Sequence, residues 1–103
     1  MKERPGGGGT RVLVVDDNEQ NRALALMTLE QEGGYSVTLA ANGAEGLRLF
    51  ERDRPDCVLL DVRMPGMDGF EVCARLRALP GGADVPVLFL TALRDVETFD
   101  RAE

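Results

Sequence analysis

The sequence predicts an α/β domain built on a parallel sheet with helices on both faces. Three observations carry this. Four apolar runs, Arg11 to Val15, Ser36 to Ala40, Cys57 to Leu60 and Pro86 to Leu90, are separated by segments of helical period. Most of these runs lack polar alternation, the mark of strands buried on both faces. Polar residues close three of them: Asp16-Asp17, Asp61 and Thr91. Strands that alternate with helices join by right-handed crossovers into a parallel sheet, which gathers those three ends on one edge.

Taken in order, residues 1–10 hold Pro5 and a run of four glycines and read as a flexible leader or linker. Residues 11–103 are of a length for one small domain. The run RVLVV from Arg11 is the first strand. From about Asn18 to Glu32 the pattern is helical, with Ala23, Leu26 and Leu29 at spacings of three, Met27 beside them, and Arg22, Glu30 and Glu32 free to face water. Gly33-Gly34 is a natural stop. Ser36 to Ala40 alternates weakly and reads as a strand. After the Asn42-Gly43 turn, Ala44, Leu47 and Phe50 give a short amphipathic helix to about Asp53, closed by Pro55. Cys57 to Leu60 is the central strand, followed by a loop with Pro65, Gly66 and Gly69. Asp68 is placed to cap the next helix, and Glu71 three residues on completes a capping-box pair. Val72, Cys73, Leu76 and Leu79 form its apolar stripe, and Pro80-Gly81-Gly82 ends it. Asp95 to Glu103 reads as the beginning of another helix.

At 44% hydrophobic and 29% charged, the 103 residues have ordinary globular composition. A net charge of −6 speaks against direct nucleic-acid contact, which favours a basic stripe. No apolar run is long enough to span a membrane, and the N-terminus lacks the apolar core of a signal peptide. Cys57 and Cys73 lie in apolar patterns and read as core thiols, in keeping with the cytosol. The absence of His removes Ser-His and Cys-His catalysis and most zinc sites.

Asp16, Asp17 and Asp61 repel one another unless a positive charge joins them. With no His among them, the fitting counter-ion is a hard cation with oxygen ligands, such as Mg²⁺ shared with a phosphoryl group. Asp61 is then a ligand alone or also a nucleophile that forms an aspartyl phosphate. Thr91 offers a hydroxyl that can donate to a phosphoryl oxygen. Met64 and Met67, which flank Pro65, read as loop packing, since a thioether suits soft metals.

The segments VLVVDD (Val12 to Asp17), LLDVRMPGMDG (Leu59 to Gly69) and FLTA (Phe89 to Ala92) resemble the receiver domain of two-component response regulators. The resemblance runs from about Arg11 to the end of the chain. It implies a flavodoxin-like, doubly wound sheet, of which the four strands present would take the order 2-1-3-4, and a cytoplasmic role in phosphorelay signalling. It implies that Asp61 accepts a phosphoryl group from a histidine kinase or phosphotransfer protein, as a switch and not an enzyme beyond its own phosphorylation and dephosphorylation. Asp17 would be the chief Mg²⁺ ligand, with Asp16 acting mostly through water and the Arg63 backbone carbonyl as a further ligand. Thr91 would be the switch hydroxyl, and the Ala92 amide would contact the phosphoryl group. Arg63 and Leu93, each two residues past a site residue, would tune its hydrolysis.

The sequence departs from the family in one respect. Members carry a Lys after a fifth strand, and the one Lys here is Lys2. The fifth strand and last helix also find no counterpart in these residues, so the domain reads as incomplete at its C-terminal side. Arg94 is a poor replacement, because a planar fork differs from a compact ammonium. On this reading the strand from Pro86 to Leu90 is an edge beside a bare sheet face, which invites pairing with a second chain in a dimer. Two other functions stay open: a receiver-like interaction module that is not phosphorylated, and a Mg²⁺-dependent phosphohydrolase. Such enzymes usually place a second Asp two residues past the nucleophile, where this chain has Arg63.

Overall fold

A computed structural model describes residues 9–90. They form seven elements in strict alternation: β1 (Thr10–Val15), α1 (Glu19–Glu32), β2 (Tyr35–Ala40), α2 (Gly43–Asp53), β3 (Cys57–Asp61), α3 (Gly69–Arg77) and β4 (Val87–Leu90). The four strands are parallel and lie in the order β2-β1-β3-β4, the flavodoxin-like order. Residues 1–8 of the leader, Thr91 and the segment from Asp95 to Glu103 that reads as a helix lie outside the described residues, so the leader enters them only at Gly9 and Thr10. Thr10, assigned above to the leader, is the first of β1. Its amide donates to the Gly34 carbonyl at 2.9 Å, and it pairs with Tyr35.

Alternation along the strands divides the core between two faces. Leu13, Val15, Val58 and Leu60 join Leu49 and Phe50 of α2 and Val72 and Leu76 of α3 in one buried cluster. Val12 and Val14 point the other way, toward α1, and are also buried. The α1 stripe differs from the one the spacing predicts. No α1 residue is fully buried; Leu26 and Leu29 are half-buried with Arg22 and Ala25, while Ala23 and Met27 are exposed. A three-residue step falls about 60° short of a full turn at 3.6 residues per turn, so Ala23 and Leu29 drift onto different faces. Cys57 and Cys73, expected in the core, are likewise only half-buried.

The helices begin on Asn and Asp caps. Asn18, Asn42 and Asp68 each accept the amide of the residue three further on, at 2.8–3.0 Å. The capping box expected at Asp68 is only half formed. Glu71 turns forward to Arg75 at 2.7 Å instead of back over the cap. At α2 the Glu does turn back: Glu45 accepts the amide of Ala41, the residue before the Asn42 cap, at 2.8 Å. At the other end of α2, Arg54 adopts φ 48° and returns its amide to the Phe50 carbonyl at 2.8 Å before Pro55.

Gly69 sets where α3 starts. A Cβ there would lie 2.3 Å from the Asp61 carbonyl oxygen and 2.8 Å from the Val62 Cα, both backbone atoms. Its amide donates to the Val62 carbonyl at 3.0 Å. The helix therefore starts in direct contact with the end of β3, which a side chain would prevent. Gly66, in the same loop at φ 81°, has open space around it. Gly69→Ala should lower unfolding free energy by about 3 kcal/mol, since fixed backbone must move. Gly66→Ala should cost only the ~1 kcal/mol of a left-handed conformation. Urea denaturation of the two variants checks this, with similar losses as the contrary result.

Candidate functional site

Val15 is level with Leu60 in the β1–β3 pairing, so the residues that follow, Asp16 and Asp61, emerge side by side. Asp16 and Asp61 are 3% and 6% exposed, whereas Asp17 faces solvent. One carboxylate oxygen from each of Asp16, Asp17 and Asp61 lies within 4.8 Å of the other two. The structure thus brings together the three acidic residues that the sequence places at strand ends.

The backbone fixes this cluster. The Asp16 amide donates to the Ala40 carbonyl at 3.1 Å, its own carbonyl accepts from Arg22 Nη1 at 2.8 Å, and its carboxylate accepts the Asn18 amide at 2.9 Å. The Asp61 carboxylate accepts the Arg63 amide at 3.3 Å. Below it the loop is anchored by Met64, buried in the core, and by Met67, which sits in the notch left by Gly43. Both methionines pack, as their apolar character predicts. The Asp61 carboxyl is pushed up to about 6 by its burial, then by the charge of Asp16 beside it; the Arg63 amide pulls the other way, and Asp17 adds a smaller push.

Three oxygen donors without nitrogen or sulfur suit a hard divalent cation. Their 4.8 Å spread is close to the ~4.2 Å between opposite oxygens around an ion with ~2.1 Å bonds. The donor set therefore fits Mg²⁺. Leu90 is level with Asp61 across β3 and β4, so this end of β4 lies beside the cluster. Thr91, Ala92 and Leu93 come next and lie outside the described residues. Sequence reasoning did not find Asn18 and Arg22, which hold Asp16. Asn18 was legible as a cap, but nothing in the pattern shows that Arg22 folds back over the turn.

The response regulator receiver domain family matches residues 12–103. The chain belongs to that family. The response regulator MprA of Mycolicibacterium vanbaalenii is 51% identical over 82 residues, which are 80% of this chain and 34% of that protein. This chain thus spans about a third of the length of the curated relatives it matches first. The chemotaxis protein CheY4 of Vibrio cholerae superposes with a TM-score of 0.76 at 31% identity, over 90% of this chain and 79% of that one. The receiver domain of the sensor histidine kinase PA1611 of Pseudomonas aeruginosa superposes with a TM-score of 0.77 at 37% identity, over 92% and 75%. That structure has a magnesium ion coordinated in its active-site cleft. Receiver domains are signalling switches. Among the described residues, no helix is long and apolar enough to cross a membrane.

The raised Asp61 carboxyl has a consequence for stability. Its folded pKa of about 6 lies above the ordinary 3.8, so folding favours the protonated form. The cation-free domain is fully favoured by this group below about pH 3.8 and loses that contribution as pH rises through 6. At ~1.4 kcal/mol per pH unit the loss is at most about 3 kcal/mol. In EDTA, Asp61→Asn should therefore raise the melting temperature at pH 8 by several degrees and leave it nearly unchanged at pH 4. A gain of equal size at both pH values would show that burial and the neighbouring charges are not the cause.

Proposed function

We propose that this receiver domain accepts a phosphoryl group on Asp61, with Mg²⁺ held by Asp61, Asp17 and, through water, Asp16. The observation that carries the reading is the meeting of these three carboxylates, one of them destabilised as an anion, at the mouth of a parallel sheet. In the reaction, an Asp61 carboxylate oxygen forms the new bond to phosphorus as the bond from phosphorus to the donor's imidazole nitrogen breaks. At neutral pH a carboxyl with a pKa near 6 is mostly ionised and ready to attack. Its burial also leaves few waters in competition. Bound Mg²⁺ supplies charge neutralisation for the transferring oxygens.

The chain's own residues perform the positioning. The Arg63 amide holds one Asp61 oxygen at 3.3 Å and so orients the carboxylate; its backbone carbonyl is a further cation ligand on this reading. Thr91 is the switch hydroxyl and the Ala92 amide a phosphoryl contact, in keeping with their place directly after Leu90, the partner of Asp61. The donor is a histidine kinase or phosphotransfer protein in the cytoplasm, and the product is a signalling state, not a released metabolite. The Arg63 side chain at the position two past Asp61 fits this switch better than a phosphohydrolase with a second Asp there.

Incubation of the protein with acetyl phosphate and Mg²⁺ should add the mass of one phosphoryl group, and Asp61→Asn should abolish the gain. A phosphoryl group mapped to a Ser or Thr peptide would overturn the assignment. Mg²⁺ should raise the melting temperature by mass action on the folded state, and Asp17→Ala should lose that rise; equal responses would place the cation elsewhere. Replacement of Arg63 and Leu93 by Ala should change the rate at which the phosphoryl group is lost by severalfold. An unchanged rate measured by intact mass over time would remove both from the hydrolysis path.

A further inference from the structure

Asp17 has an unusual place in the cluster. It is the exposed member, and no hydrogen bond among the described residues holds its carboxylate. Its direction is therefore set by the backbone from which it projects. That backbone is the planar peptide shared by the Asp16 carbonyl and the Asp17 amide. The Asp16 carbonyl accepts a single side-chain bond, from Arg22 Nη1 at 2.8 Å, in a half-buried setting.

Arg22 is four residues past the Asn18 cap, and its amide donates to the Asn18 carbonyl at 3.0 Å. A cation here lies near the positive end of the helix dipole, an unfavourable place for it. The side chain nevertheless reaches back over the turn to the Asp16 carbonyl. Asn18 completes the closure, since its amide binds the Asp16 carboxylate and its side chain caps α1. The turn that carries both acidic residues is thus locked at its first peptide by Arg22 and at its last by Asn18.

We propose that Arg22 is a positioning residue for the cation site, acting through its bond to the Asp16 carbonyl to fix the peptide plane from which the Asp17 carboxylate projects. The inference rests on the reading of Asp16, Asp17 and Asp61 as a Mg²⁺ site. It predicts an effect opposite in sign to simple electrostatics. By charge alone, removal of a cation near three carboxylates strengthens Mg²⁺ binding. By positioning, the same removal weakens it, because a ligand left without its support loses pre-organisation; such outer contacts are commonly worth tenfold or more in metal affinity.

The test titrates Mg²⁺ into the protein and into Arg22→Met, Arg22→Lys and Asp17→Ala, reading the melting temperature at each concentration, with Mg²⁺-free values as the baseline. Met keeps the unbranched stem and the helix propensity and removes only the donors and the charge. Lys restores one donor. Arg22→Met should need at least about threefold more Mg²⁺ for the same rise, beyond any change in its Mg²⁺-free melting temperature, and Arg22→Lys should stay within about twofold of the wild type. Tighter or unchanged Mg²⁺ binding by Arg22→Met overturns the inference, as does an equal loss in Arg22→Met and Arg22→Lys. Should Arg22→Met not fold, a normal Mg²⁺ response in Arg22→Gln, whose shorter side chain falls short of the carbonyl, would overturn it and a weakened one would support it. A wild-type response that Asp17→Ala retains would remove the cation site itself, and this inference with it.

Discussion

The constraint on which this structure turns is mutual repulsion among three carboxylates. Two unit charges no more than 4.8 Å apart oppose each other by at least about 3 kcal/mol at an effective dielectric near 20. No flexible surface would keep such groups together. They stay because Asp61 ends β3, Asp16 directly follows the end of the adjacent parallel strand β1, and Asp17 is the next residue along the chain. The sheet ladder fixes Asp16 through its amide to Ala40 and Asp61 through its pairing with Leu90. Hydrophobic burial of Val14, Val15, Val58 and Leu60 supplies the stability that this cluster withdraws. The site is thus strained electrostatically while the backbone that carries it is held by the sheet.

The loops around the site follow from that constraint. Each is pinned where it leaves the sheet, on one side by Asn18 and Arg22 and on the other by Gly69 and Met64. Gly69 lets α3 begin against the Asp61 carbonyl, so the segment between Asp61 and the helix can be short. Met67 fills the notch at Gly43, which couples the same loop to the start of α2. The loop after Asp61 thus has few free degrees of freedom.

Much of this was legible in the sequence because its signals are local. Unbroken apolar runs mark buried strands, and the residues that end them mark the sheet edge, so the carboxylate cluster followed from the pattern, while the strand order came from the family resemblance. Boundaries were one residue off where backbone pairing extends past the apolar run, as at Thr10 and Tyr35. The α1 face was misread because residues three apart drift around a helix, and the amphipathic signal there is weak. Glu71 fits a capping box by spacing, yet the charge of Arg75 one turn on outcompetes the cap. Arg22 was hidden for a different reason. Its partner is a carbonyl, and backbone acceptors leave no trace in side-chain patterns.

The exposed apolar surface near the end of β4 follows from the same layering. Phe70 opens α3 and Phe89 lies on β4, and their rings meet at 5.1 Å although both are largely exposed, Phe70 at 61% and Phe89 at 41%. Leu88, on the opposite face, is 55% exposed. Among the described residues β4 is an edge, so its two faces are covered less than those of β1 and β3. These side chains stand near the end of β4 that is level with Asp61. An aromatic pair holds its mutual contact of about 0.5–1.5 kcal/mol while keeping the rest of its surface free for other partners. Asp61 and this apolar edge are therefore neighbours across one strand pairing, that of β3 with β4.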